Sequence, residues 1–259
     1  MTAAPVLVSE TAGIVSVTIN RPQARNSLNA QTIQLLTEAF ESVSRSASAR
    51  CAILSGAGTE AFCAGADIAE LVAAPSPTDR RAFFGSIANL IKTINHTPVP
   101  VIARVHGFAL AGGCGLAAAC DITLASDDAV FGLPEVGIGL AAMVVMAPLS
   151  RVVGKKALTQ MVMTGDRISA ARALEIGLVS AVHPKQSLDA ETEALSKQLL
   201  KQGANALKAS KQALLDVTEG DYLSLLHDLA DRSALLSLGP EAQEGLTAFT
   251  QKRTPSWRV

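Results

Sequence analysis

Short β-prone runs alternate with amphipathic stretches along most of this chain, and that alternation most narrows what it can fold into. Val6-Leu7-Val8 and Ile14-Val15-Ser16-Val17-Thr18-Ile19 are separated by Ala12-Gly13, the pattern of a hairpin. Asn29 is placed to cap a helix whose apolar stripe is Ile33, Leu36, Phe40 and Val43, at helical spacing. Cys51-Ala52-Ile53-Leu54 reads as a buried strand. Phe83, Ile87, Leu90 and Ile94 mark a second helix, closed by His96-Thr97-Pro98. Further strands are expected at 100–105, 121–125, 129–131 and 178–182, with a helix from about Gly112 onward and another capped by Ser169 and ended by Gly177. This order predicts an α/β layered core. Beyond Leu188 the pattern is helical, which divides the chain into a core at 1–190 and a C-terminal helical subdomain at 191–259.

Composition narrows the function classes. Of 259 residues, 49% are hydrophobic and 17% charged, enough for a large core and too apolar for disorder. The low charge and a mean hydropathy of +0.31 suggest apolar surface buried between subunits. The formal net charge of -1 gives no pull toward nucleic acid. Lys252-Arg253 is a local basic cluster suited to a phosphorylated ligand. The most apolar stretch, 137–149, is too short to span a bilayer, and no signal-peptide pattern opens the chain, so no membrane partner and a cytoplasmic location are expected. Cys51, Cys63, Cys114 and Cys120 form no C-x-x-C pair, and His96, His106, His183 and His227 show no metal-ligand spacing; reduced thiols and no metal are expected.

Two segments share one format: a strand, a glycine-bearing turn and a helix start. They are Phe62-Cys63-Ala64-Gly65-Ala66-Asp67 and Leu110-Ala111-Gly112-Gly113-Cys114-Gly115. A helix start presents unpaired N–H groups, and glycine lets a ligand approach them. Two such turns meeting at a point could donate two hydrogen bonds to one developing oxyanion. That arrangement suits a carbonyl compound whose α-proton must leave. The dinucleotide and P-loop glycine patterns and the G-x-S-x-G elbow do not occur.

These turns, with Arg21-Pro22-Gln23-Ala24-Arg25-Asn26-Ser27-Leu28, Val105-His106-Gly107-Phe108-Ala109-Leu110, Phe131-Gly132-Leu133-Pro134-Glu135, Thr164-Gly165-Asp166-Arg167-Ile168-Ser169-Ala170, Glu244-Gly245-Leu246-Thr247-Ala248-Phe249 and Lys252-Arg253, resemble the enoyl-CoA hydratase/isomerase, or crotonase, family over almost the whole chain. The resemblance implies a spiral of repeated β-β-α units, a C-terminal helical region for oligomerisation and CoA contact, and homotrimers paired into hexamers. It implies an acyl-CoA substrate and no separate cofactor, coenzyme A being part of the thioester. It makes Ala66 and Gly112 the oxyanion donors, puts the backbone around Ala64 and Ala66 at the CoA adenine, and lets Phe249 and Lys252 reach a CoA held by a neighbouring subunit.

The resemblance also exposes a departure. Hydratases of the family commonly use two glutamates, and the position of the first is Gly115 here, while Glu135 matches the second. One carboxylate suits double-bond isomerisation with Glu135 as proton shuttle, its pKa raised in a pocket of Phe131, Leu133 and Val136. Hydration of the 2,3 double bond and non-catalytic CoA binding are the alternatives. The segment Gly139-Leu140-Ala141-Ala142-Met143-Val144-Val145-Met146 replaces a proline-glycine turn found in many hydratases and either reshapes the acyl pocket or packs a helix. Asp67 is expected to cap the helix after the first turn, Asp121 to end a helix locally, and His106 to be a structural hydrogen-bonder.

Overall fold

A computed structural model describes residues 4–73, 76–219, 239–241, 244, 247–248 and 251–256. Strands β1 (Val6–Thr11) and β2 (Ile14–Ile19) form the expected hairpin, with Ala12 and Gly13 both at positive φ. Helix α1 (Ala30–Arg45) is capped by the Asn29 side chain, which accepts from the Thr32 N–H, and buries Ile33, Leu36, Phe40 and Val43. The next unit is β3 (Cys51–Gly56), β4 (Ala61–Cys63), α2 (Ile68–Ala73) and α3 (Pro77–Asn95). It is followed by β5 (Val101–Val105), β6 (Phe108–Leu110) and α4 (Gly112–Ala119), then by β7 (Ile122–Ser126), β8 (Val130–Gly132) and α5 (Met143–Val152). The chain continues through α6 (Lys155–Thr164), β9 (Arg167–Ser169), α7 (Ala170–Glu175), β10 (Ala181–His183), α8 (Leu188–Leu200) and α9 (Ala204–Glu219).

The strands divide between two sheets, ordered β1-β2-β3-β5-β7-β10 and β4-β6-β8-β9. Successive pairs, β3/β4, β5/β6 and β7/β8, each give one strand to each sheet before a helix returns the chain. This stepwise repeat is the expected spiral of β-β-α units. From β2 to β10 the larger sheet is parallel, and so is β4-β6-β8 in the smaller one. Helix α4 is buried along its whole length between its neighbours. Only small residues and one leucine let it lie that deep.

Three local expectations are corrected. The strand expected at 178–182 forms at Ala181–His183, because the Leu178 and Val179 N–H groups turn back to the Ala173 carbonyl and their side chains enter the core. Asp121 does not close a helix; its carboxylate accepts from the Val101 N–H at 2.7 Å and from Lys211 Nζ at 2.6 Å. Val136 lies on the surface, 44% exposed, so it does not line a pocket with the buried Phe131 and Leu133.

Helix α8 covers the other face of the larger sheet, Leu188 packing with Cys51, Ile102 and Leu124. Lys211 of α9 also donates to the Val99 carbonyl, tying that helix to the start of β5. Among the described residues no helix is long and apolar enough to cross a membrane, and no His, Cys, Asp and Glu group could hold a metal ion.

Candidate active site

Strands β4, β6 and β8 are parallel neighbours, and each delivers one element of the site just past its carboxyl end: Ala66, Gly112 and Glu135. The carboxyl ends of parallel strands are where open α/β sheets place ligands. The sequence places these three residues far apart, and the smaller sheet sets the segments that carry them after neighbouring strands.

The two glycine turns touch. Gly65 has φ +98°, and a Cβ built on it would lie 2.6 Å from the Ala111 Cβ and 3.1 Å from the Gly112 nitrogen. The Ala66 nitrogen lies 3.6 Å from the place a Gly112 Cβ would occupy. Ala111 holds φ 51°, ψ -119°, a conformation that L residues rarely adopt. Its N–H is tied to the Gly132 carbonyl at 2.9 Å, so the smaller sheet holds that strain in place. Among the described residues, neither the Ala66 nor the Gly112 N–H has a hydrogen-bond acceptor.

The 20–28 segment frames the first turn. The Ala64 N–H donates to the Arg25 carbonyl, Leu28 N–H to the Gly65 carbonyl at 2.7 Å, and Asp67 N–H to the Leu28 carbonyl. Arg25 and Asn26 both have positive φ, and the side chain of the fully buried Asn26 makes three bonds. Its Nδ2 donates to the Ala57 and Ala61 carbonyls and its Oδ1 accepts from the Arg21 N–H. Arg21 pairs with Asp67 at 3.0 Å, while Asp67 Oδ1 accepts from the Ala69 N–H, the expected helix cap. Gly113 packs directly on the Cys63 backbone, leaving no space for a side chain. The framing role of Asn26 and Leu28 was missed from sequence; Asn26, a residue type that tolerates the left-handed region, was the available signal.

Glu135 sits in a 3-10 turn, Pro134–Ile138, and is half-buried. Among the described residues its buried Oε2 has no hydrogen-bond partner, and burial raises its pKa against the opposing pull of its own backbone N–H. The Cys114 thiol, one residue before Gly115, is pushed up to about 12, mainly by burial, with the Glu135 charge adding to the effect. Burial likewise raises Cys63 to about 12. Both thiols stay protonated near neutral pH, which removes them as nucleophiles. His106 is buried, and its Nδ1 lies 3.0 Å from Arg104 Nη1; burial first, then that cation, lowers its pKa.

Gly115 stands one turn beyond Gly112 on the same side of α4. A Cβ on Gly115 would lie 2.5 Å from Val145 Cγ1 of α5, so the segment 139–146 packs a helix against this glycine.

Of the residues expected to meet coenzyme A, Ala64 is half-buried, and among the described residues its carbonyl accepts no hydrogen bond. Lys252 is exposed in a turn at φ 53°, but Arg253 is engaged by Glu244, with both contacts at 2.7 Å, so the basic pair does not act as one cluster. Phe249 lies outside the described residues.

A sequence profile of the enoyl-CoA hydratase/isomerase family matches residues 9–259. The chain is similar to the short-chain-enoyl-CoA hydratase of Clostridium acetobutylicum, at 34% identity over 96% of this chain and 95% of that one. It is 36% identical to the crotonyl-CoA hydratase of Syntrophomonas wolfei, over 91% and 90% of the two chains. The crystal structure of an enoyl-CoA hydratase from Mycobacterium smegmatis superposes with a TM-score of 0.96 at 36% identity, covering 98% of this chain and 99% of that one. Matched this fully in sequence and in fold, the chain is an enzyme of the enoyl-CoA hydratase/isomerase family.

Proposed function

We propose that the enzyme moves the double bond of an enoyl-CoA from the 3,4 to the 2,3 position, with Glu135 as its proton shuttle. The carrying observation is the pairing of a buried Glu135 carboxylate oxygen, unpartnered among the described residues, with glycine at the second acid position. In this reading the thioester oxygen receives hydrogen bonds from the Ala66 and Gly112 N–H groups. Glu135 removes a proton from C2, and the C–H electron pair moves into a dienolate whose negative charge rests on that oxygen. The same carboxyl group then returns the proton at C4, the remaining double bond settles between C2 and C3, and the thioester carbonyl re-forms. Each backbone donor would stabilise the enolate-like transition state by about 3 kcal/mol. The raised Glu135 pKa supports both halves of the transfer, since an ordinary carboxylate is too weak a base to take such a proton readily. Acyl-CoA is the substrate class, with Ala64 and Ala66 toward the nucleotide and Phe249 and Lys252 toward a CoA on a neighbouring subunit. Exposed Val136, Ile138, Met143 and Met163 support a homotrimer or homohexamer.

Hydration is the second reading, favoured by the names of the Clostridium and Syntrophomonas relatives. Incubation with a 3-enoyl-CoA and, separately, a 2-enoyl-CoA tests the order. Double-bond migration faster than hydration is expected, and the reverse would replace the first reading by the second.

A further inference from the structure

We infer that Val145 sets the reaction specificity of this site, by filling the space over Gly115 from which water would otherwise reach the acyl chain. The inference rests on the isomerase reading, and two observations carry it, joined by the bond geometry of a thioester. Gly112 and Gly115 are one turn apart on α4, so their α-carbons present to the same side of the helix. A thioester whose oxygen bonds the Gly112 N–H has C2 and C3 one and two bonds beyond its carbonyl carbon, within reach of that side. The space opening from Gly115 is already taken: Val145 Cγ1 lies 2.5 Å and its Cβ 2.8 Å from where a Gly115 Cβ would be.

The plug is rigid and dry. Val145 is 4% exposed, β-branched and held in the first turn of α5, so its isopropyl group has little rotamer freedom. It presents methyl groups and no hydrogen-bonding atom, whereas a held water needs two or more polar partners. Hydration would form an O–C3 bond from water, send the C2=C3 π pair through the thioester enolate, pass one water proton to Glu135 and return a proton to C2. Glu135 alone balances those protons, so the missing second acid does not forbid hydration. Steric exclusion of the water by Val145 does.

The test compares wild type with Val145→Ala on matched 2-enoyl-CoA and 3-enoyl-CoA, reading the ratio of hydration to double-bond migration. Val145→Ala should raise that ratio at least ten-fold, while Val145→Ile, which keeps the space closed, leaves it at the wild-type value. A ratio unchanged in Val145→Ala overturns the inference even where wild type isomerises, and the isomerase reading then stands alone. A wild type that hydrates and does not isomerise, with Val145 in place, overturns the reading and the inference together. Thermal melting gives a measurement independent of turnover. Gly115→Ala should melt below wild type, and adding Val145→Gly, which removes both the Cγ1 and the Cβ that the new methyl would meet, should restore more than additivity allows. Additive shifts in that cycle would show that the two residues do not share the space, and would overturn the inference.

Discussion

A side-chain carbon on Gly65 would stand 2.6 Å from the Cβ of Ala111, so the two glycine turns share a boundary with no room for one more methyl group. Gly65 also holds φ +98°, outside the range comfortable for an L side chain. Gly65→Ala is therefore expected to destabilise by about 2–4 kcal/mol, from backbone strain and overpacking together. It should also separate the Ala66 and Gly112 amides and lower turnover by roughly 10²-fold. Chemical denaturation and kcat check the two parts; a variant as stable and active as wild type would show that the turns do not depend on this contact.

Asn26 holds the frame behind the same turn. Its side chain bridges the Arg21 N–H and the Ala57 and Ala61 carbonyls from a fully buried position. Asn26→Ala should cost about 2–4 kcal/mol, since it leaves buried donors and acceptors unpaired. Asn26→Asp should be worse: it keeps the acceptor for Arg21 but turns a charged oxygen toward two carbonyls. Melting temperatures ordered wild type, Ala, Asp would bear this out, and an Asp variant near wild type would contradict it.

Much of this framework was legible in the sequence because it depends on local patterns. The helical spacing of Ile33, Leu36, Phe40 and Val43 gave α1, and Asn29 gave its cap. The glycine turns were legible as chemistry because Gly65 and Gly112 each follow an apolar run. The smaller sheet was not, since β4, β6 and β9 have three residues each, too few for alternation to show. Without that sheet, nothing local says that the segments of Ala66, Gly112 and Glu135 follow neighbouring strands. The contact of Val145 with Gly115 was equally hidden, because it joins two helices at positions 30 apart in the chain and leaves no periodic trace. Exposure of Val136 escaped for another reason: a hydrophobic residue in a 3-10 turn has no fixed inward face.

The Lys211–Asp121 pair anchors α9 to the larger sheet. The lysine side chain is 8% exposed and the aspartate 30%, so the pair is partly shielded from water. Burial raises the Asp121 pKa, and Lys211 pulls it back down. Lys211→Met should destabilise by about 2–3 kcal/mol, below the full cost of breaking a buried pair because Asp121 keeps some solvent. Without the lysine, the folded-state pKa of Asp121 rises further, so its charged form becomes less favourable in the folded state. The loss should therefore be greater at pH 8 than at pH 4, where the carboxylate is more often protonated. A loss independent of pH would mean that the ion pair is not its source.

Glu135→Gln separates chemistry from binding and stability. The amide keeps the shape of the carboxyl group but cannot take a proton, so kcat on a 3-enoyl-CoA should fall by roughly 10²-fold or more. The dissociation constant for the same ligand should change little, because the proposed oxyanion donors are backbone groups. The wild-type rate should decline on acidification through the folded-state pKa of Glu135, which burial places above the ordinary carboxylate value. Stability should move the other way. A raised folded-state pKa means that folding favours the protonated acid: this favourable contribution is present below the unfolded pKa and is lost as pH rises through the folded one. At pH 8 the wild type carries a partly buried, unpartnered charge that the glutamine variant lacks. Glu135→Gln should thus melt higher than wild type at pH 8, with the gap closing toward pH 4. Unchanged turnover would remove Glu135 from the chemistry. A melting difference that does not narrow on acidification would show that the buried charge is not what the protein sustains at this site.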